Sequence, residues 1–191
     1  MPDTVTAPAS IEEITAELAR LREEVAATRA LAQRAEDRGQ VENLFNRYMY
    51  LHNAFEDEQI IPLWVKEGAD GIRARYTNAG RYTTWKSVTD YHRGRPHPEG
   101  KLILHATTTP VIEVAADGKT AKGVWMMAGT ESGLTDPKVA EAFPDMYSPE
   151  EVLGKKVWAH WVWCKYAIDF LKQAATSSRA HRSKRTGSAS G

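Results

Sequence analysis

Residues 101–130 read KLILHATTTPVIEVAADGKTAKGVWMMAGT, and at Lys101 the periodicity of the chain changes from helical to extended. Leu102 to Ala115 is rich in β-branched residues, Asp117-Gly118 is a strong hairpin signal, and Thr120 to Thr130 returns as the partner strand. Further on, Val157 to Leu171 is dense in Trp, Val and Tyr and reads as a long strand. Trp161, Trp163 and Lys165 alternate there with Trp158, His160, Val162, Cys164 and Tyr166. Two largely apolar faces suit a strand covered on both sides, one by the interior and the other by a second subunit. Between these strands residues 133–153 contain Pro137, Pro144 and Pro149, which predicts a long insertion with one short helix over Pro137–Phe143.

Upstream the pattern is helical. Ser10 and Glu13 form a capping-box signature. Ile11, Ile14, Leu18, Leu21 and Val25 then recur at spacings of three and four, continued weakly by Thr28, Ala32 and Ala35. That stripe predicts either a short coiled coil pairing two subunits or a helix laying one narrow face on its own domain. Gly39 is expected to interrupt the helix. A second amphipathic segment follows, with Val41, Leu44, Phe45, Tyr48, Leu51 and Phe55 on one face. Glu56-Asp57-Glu58 starts a third helix carrying Ile60, Ile61, Leu63 and Trp64, which Gly68 and Gly71 end. A short strand over Ile72–Tyr76 and a helix over Trp85–His92 complete the first half. Helices first and a meandering antiparallel sheet second make the fold α+β.

Composition narrows the function classes. The 191 residues suit one domain with appendages. Lys+Arg and Asp+Glu both number 25, so no global charge attracts nucleic acid or a membrane surface. The first ten residues lack the apolar stretch of a secretory signal, and no run is long enough to span a bilayer, so the expected location is cytoplasmic. The single Cys164 excludes an intramolecular disulfide and a cysteine-based metal cluster. From Ala174 the chain has no periodicity and is expected to be a disordered tail; its Arg179, Arg182, Lys184 and Arg185 are expected to be solvated rather than bound to nucleic acid.

Several pieces together resemble a known group. Arg47-Tyr48-Met49-Tyr50 lies late in a helix, Leu63-Trp64 in the next, and Gly80-Arg81-Tyr82 before another. His105-Ala-Thr-Thr-Thr-Pro-Val-Ile-Glu-Val is the most telling, followed by Asp117-Gly118-Lys119-Thr120-Ala121. The sequence resembles the SnoaL-like domains of the nuclear-transport-factor-two-like superfamily, which include polyketide cyclases, scytalone dehydratase and a bile-acid dehydratase. The resemblance covers residues 38–172, leaving residues 1–37 as a helical extension and 173–191 as the tail. It implies a cone-shaped, curved antiparallel sheet wrapped around N-terminal helices, with an apolar pocket at the open end. It also implies cofactor-free dehydration, isomerisation or aldol cyclisation by side chains alone on a small apolar or polycyclic substrate. Such domains normally add a final strand after the long one. The chain from Gln173 cannot form it, so either that strand is missing or the order of the elements differs from the family's.

The resemblance places His105 at the catalytic histidine, where a near-neutral imidazole can take and return a proton. It places Tyr48 at the tyrosine whose hydroxyl polarises a substrate carbonyl. Asn53 stands where the dehydratases usually carry Asp; it can orient a partner but cannot exchange a proton. His52, Tyr50, Phe55 and Trp64 are expected to contact substrate, as are Trp125, Met127, Trp161 and Trp163. Glu131 is the nearest carboxylate along the sheet. His92, His97 and His105 lack an accompanying carboxylate or cysteine at ligand spacing, so no metal is expected; that no organic cofactor is needed is what the resemblance implies. Besides a catalytic reading, a non-catalytic ligand-binding or dimeric scaffold remains open.

Overall fold

The computed structural model describes residues 10–76, 79–95, 101–134, 150–152 and 155–173. The expected helix over Pro137–Phe143, the tail, its basic cluster and His97 lie outside the described residues.

Helix α1 runs unbroken from Ile11 to Asn53. Ser10 caps it: the hydroxyl accepts from the Glu13 N–H, and the Glu13 carboxylate accepts from the Ser10 N–H. The break expected at Gly39 does not occur. A helical glycine costs about 1 kcal/mol relative to alanine, which 43 residues of continuous helix absorb. Through residue 36 α1 is exposed on every side; from Asp37 onward one face is covered. Its C-terminus closes as a Schellman turn, with the Phe55 N–H donating to the His52 carbonyl and the Glu56 N–H to that of Leu51. Phe55 occupies the left-handed position (φ 59°), where glycine is the usual choice.

The third helix predicted by sequence is only α2 (Asp57–Ile60) and a 3-10 turn at Ile61–Leu63, since Pro62 cannot extend an α-helix. Strands β1 (Ala74–Tyr76) and β2 (Gly80–Tyr82) form a small hairpin before α3 (Trp85–Arg93), which Thr84 and Ser87 cap.

The main sheet contains β3 (Leu102–Val114), β4 (Thr120–Leu134), β5 (Glu150–Val152) and β6 (Lys155–Leu171). It is antiparallel in the order β3-β4-β6-β5 and does not close into a barrel. Among the described residues no strand follows β6. Pro110 is tolerated in edge strand β3 because a bulge between Thr108 and Val111, with Thr109 at φ 49°, removes the need for its missing N–H.

The inward side of β4 sets three glycines among large residues: Gly123, Trp125, Met127, Gly129, Glu131, Gly133. A Cβ on Gly123 would meet the Trp125 ring at 2.3 Å, and one on Gly129 would meet the Leu104 carbonyl oxygen at 2.0 Å. The glycines thus let the Trp125 ring lie flat and let β3 approach closely. Phe45 and Met49 of α1 pack on Trp125, with Phe45 and Trp125 ring centroids 4.2 Å apart. Tyr166, Ile168 and Phe170 of β6 flank this core. The other side of the sheet is exposed and apolar, with Leu102, Leu104, Val111, Trp161, Trp163 and Leu171 uncovered. No helix among the described residues is long and apolar enough to cross a membrane.

Candidate functional site

The last two turns of α1 carry Tyr48, His52 and Asn53 to the inward face of the sheet, near His105 of β3. The spacing of four puts Tyr48 and His52 on one face, while Asn53, about 100° further round, turns to the backbone of β3. Asn53 hydrogen-bonds the backbone of His105. Its Nδ2 donates to the His105 carbonyl (3.2 Å), and its Oδ1 accepts from the His105 N–H (3.1 Å). Because β3 is an edge strand, these backbone groups would otherwise lack a strand partner. Asn53 therefore positions the strand by one bond from each end of its amide.

His105 is buried, and its Nε2 lies 2.9 Å from Glu131 Oε1. In the ladder His105 faces Gly129, and Glu131 is two residues along the same strand face. With no side chain at Gly129, nothing stands between imidazole and carboxylate. The hydrogen bond to His105 holds the Glu131 carboxyl below the usual carboxylate range. A carboxylate accepts only, so in the neutral form of the His105 ring the proton sits on Nε2. Its Nδ1 is then a lone pair, buried and without a partner.

The same logic assigns the other imidazoles. Arg95 Nη1 lies 3.0 Å from His52 Nδ1, and arginine can only donate, so His52 carries its proton on Nε2. That nitrogen is also buried and unpartnered. Burial, helped by the Arg95 charge, pushes the His52 pKa down to about 3, keeping the ring neutral. Its centroid lies 5.1 Å from that of His105. The Trp64 indole N–H donates to His92 Nε2 (3.1 Å), leaving the His92 proton on Nδ1, 3.5 Å from Asp57 Oδ1. Burial lowers the His92 pKa, opposed by Asp57. Asp57 and Arg95 form a buried ion pair at 2.6 Å, and the Arg95 guanidinium also lies over the Phe55 ring.

The Tyr48 ring stacks at 5.9 Å on His52 and meets His92 edge-on at 6.2 Å. Burial raises the pKa of its hydroxyl, which is paired with that of Tyr76, so it stays protonated and can donate. Tyr91 is pushed up to about 12, mainly by burial. These phenols are donors, not bases.

The structure thus brings together Tyr48, His52, Phe55, Trp64 and His105, with Asn53 behind the strand. Trp125 and Met127 are almost fully buried in the core. Tyr50, Trp161 and Trp163 are 80%, 81% and 73% exposed and point away, because helical spacing turns Tyr50 outward and strand alternation puts both tryptophans on the outer face. Sequence reasoning missed Asp57, Arg95 and Tyr76 and gave Glu131 no role. Asp57 is the middle member of an acidic run whose neighbours are less buried, and Arg95 lies in a loop without periodicity. Only His92 left a signal, four residues from Val88 on the covered face of α3. Among the described residues no group of three or more His, Cys, Asp and Glu is placed to hold a metal ion.

A family model described as a SnoaL-like domain matches residues 33–175. No curated protein matches the chain.

Proposed function

We propose, from the premise that this chain belongs to the SnoaL-like domain family, that it is an acid–base enzyme working with side chains alone. The substrate is small, largely apolar and oxygenated, and the reaction is a dehydration, an isomerisation or a related proton transfer. The observation that carries this reading is the His105–Glu131 contact of 2.9 Å, with His105 Nδ1 left buried and free. Glu131 holds the tautomer and stabilises the imidazolium formed when Nδ1 takes a proton. His52 Nε2–H and the Tyr48 hydroxyl are donors beside that base, suited to oxygen on which negative charge develops.

In a dehydration, His105 Nδ1 removes the proton on the carbon next to a carbonyl. The electron pair moves onto the carbonyl oxygen, held by the donors. As the carbonyl re-forms, the hydroxyl on the β-carbon departs, takes the proton back from His105 and leaves as water. An isomerisation uses the first half and returns the proton to a different carbon.

The test starts with thermal melts against hydroxylated steroids, polyketide-like aromatics and terpenoid ketones, since a ligand that prefers the folded chain raises the midpoint. With a substrate in hand, His105→Ala loses about 10²–10⁴-fold in turnover per folded molecule, the folded fraction being read from its own melt. Full activity in that variant overturns the assignment.

A second reading is a dimeric scaffold that pairs through the outer sheet face, supported by the exposed Leu104, Trp161 and Trp163. Trp163→Arg then reduces the subunit count in sedimentation without altering the melting midpoint shifts that the ligands above produce. The expected cytoplasmic location is part of the same proposal.

A further inference from the structure

The stripe on the first half of α1 has no partner within the described chain. Ile11, Ile14, Leu18, Leu21 and Val25 are between 42% and 83% exposed. The domain's own sheet cannot cover them. At about 100° per residue, the stripe lies roughly 150–170° around the helix from Val41, Phe45, Tyr48 and His52, which face the sheet. The stripe is also narrow: with Ile11 at position a, apolar residues fall at a (Ile11, Leu18, Val25) and d (Ile14, Leu21), followed by Thr28, Ala32 and Ala35. A seam confined to a and d suits a second helix rather than a broad sheet face, which asks for an apolar band at least about 100° wide.

The flanking charges choose the occupant and its direction. Positions g carry Glu17 and Glu24; positions e carry Arg22 and Arg29. In a parallel, in-register pair each g residue meets the e residue five further along the partner. That sets Glu17 against Arg22 and Glu24 against Arg29, twice each by symmetry. In an antiparallel pair g meets g and e meets e, placing Glu against Glu and Arg against Arg. Within one chain Glu17 and Glu24 both reach Arg20, whereas Arg22 and Arg29 pair with no carboxylate among the described residues. Leu31, at the next g position, departs from the charge pattern, so the pairing is specified most strongly between Ile11 and Arg29.

We infer that residues 11–35 of two copies of this chain pair as a parallel, in-register coiled coil about 36 Å long. This inference is independent of the acid–base reading.

The experiment uses the full chain with Leu18→Cys, beside the unaltered chain as control for Cys164. In a parallel pair Leu18 meets its own counterpart across the two-fold axis, so mild oxidation links most of the Leu18→Cys chain into a covalent dimer. The unaltered chain does not link. Glu17→Lys with Glu24→Lys sets Lys against Arg and weakens self-association by roughly tenfold or more; adding Arg22→Glu and Arg29→Glu restores it. A chain that sediments as a monomer at every accessible concentration overturns the proposal. So does linking that prefers mixed Leu18→Cys and Thr28→Cys chains, about 15 Å apart in the parallel register, because that marks an antiparallel pair. A dimer indifferent to the charge changes and to Leu18→Glu also overturns it, and assigns the contact to the sheet face.

Discussion

Asn53 binds His105 by the backbone at both ends: its amide nitrogen donates to the carbonyl at 3.2 Å and its amide oxygen accepts from the N–H at 3.1 Å. The last helical residue of α1 thereby fixes the height of the strand that carries the candidate base. Asn53→Ala leaves two backbone groups unpaired and lowers unfolding free energy by about 1–3 kcal/mol. Asn53→Asp keeps the acceptor but sets a carboxylate against the carbonyl, and it destabilises as well. Urea unfolding of both variants checks this; an Asp variant as stable as the parent contradicts it.

Stability falls with acid, and His52 dominates the upper part of the fall. Unfolded, its imidazole takes a proton near pH 6.5; folded, it does so only near about 3. Between those values the unfolded chain holds the extra proton, so stability drops as pH falls through that window and is flat above it. His92, also lowered by burial, acts in the same direction. Asp37, held low by Lys172, and Glu131, held low by His105, contribute stability that is lost at still lower pH. Denaturant unfolding at about pH 7.5, 6 and 5 shows a monotonic loss, and the loss between 7.5 and 5 shrinks in His52→Gln.

Arg95→Met removes the cation at 2.6 Å from the buried Asp57 carboxylate and the donor to His52. The expected cost is about 3–5 kcal/mol, because one partner of a buried ion pair is removed. Adding Asp57→Asn recovers part of that loss. A single variant as unstable as the double one contradicts the coupling.

Two glycines respond oppositely to alanine. At Gly39 a Cβ meets nothing within 4 Å, so Gly39→Ala stabilises α1 by about 0.5–1 kcal/mol. At Gly129 the new carbon meets backbone at 2.0 Å, which cannot move without opening β3 from β4. That variant loses about 3 kcal/mol or more, together with the His105–Glu131 contact.

The β3–β4 hairpin, the long strand β6 and the capped start of α1 were legible because each rests on local signals: β-branched density, Asp117-Gly118, Ser10 with Glu13. The break expected at Gly39 was not there, since a local propensity of about 1 kcal/mol competes with the continuous hydrogen bonding of a 43-residue helix and with the packing of its C-terminal part on the sheet. Within the site, His105 and Tyr48 were legible through the resemblance. Glu131 was not, because its meeting with His105 depends on strand register across 26 residues and on the bare backbone of Gly129. Trp161 and Trp163 read as lining because alternation separates two faces without saying which is inside.

Helix α1 joins the exposed arm to Tyr48, His52 and Asn53 without a hinge, over 43 residues and about 65 Å. A continuous helix behaves as a lever with one axis and one angle of twist. Turning the arm about that axis turns Tyr48 and His52 by the same amount and pulls on the two bonds that tie Asn53 to His105. The azimuth of the Leu18–Leu21 seam and that of the three site residues are therefore a single mechanical variable, set once for the whole rod.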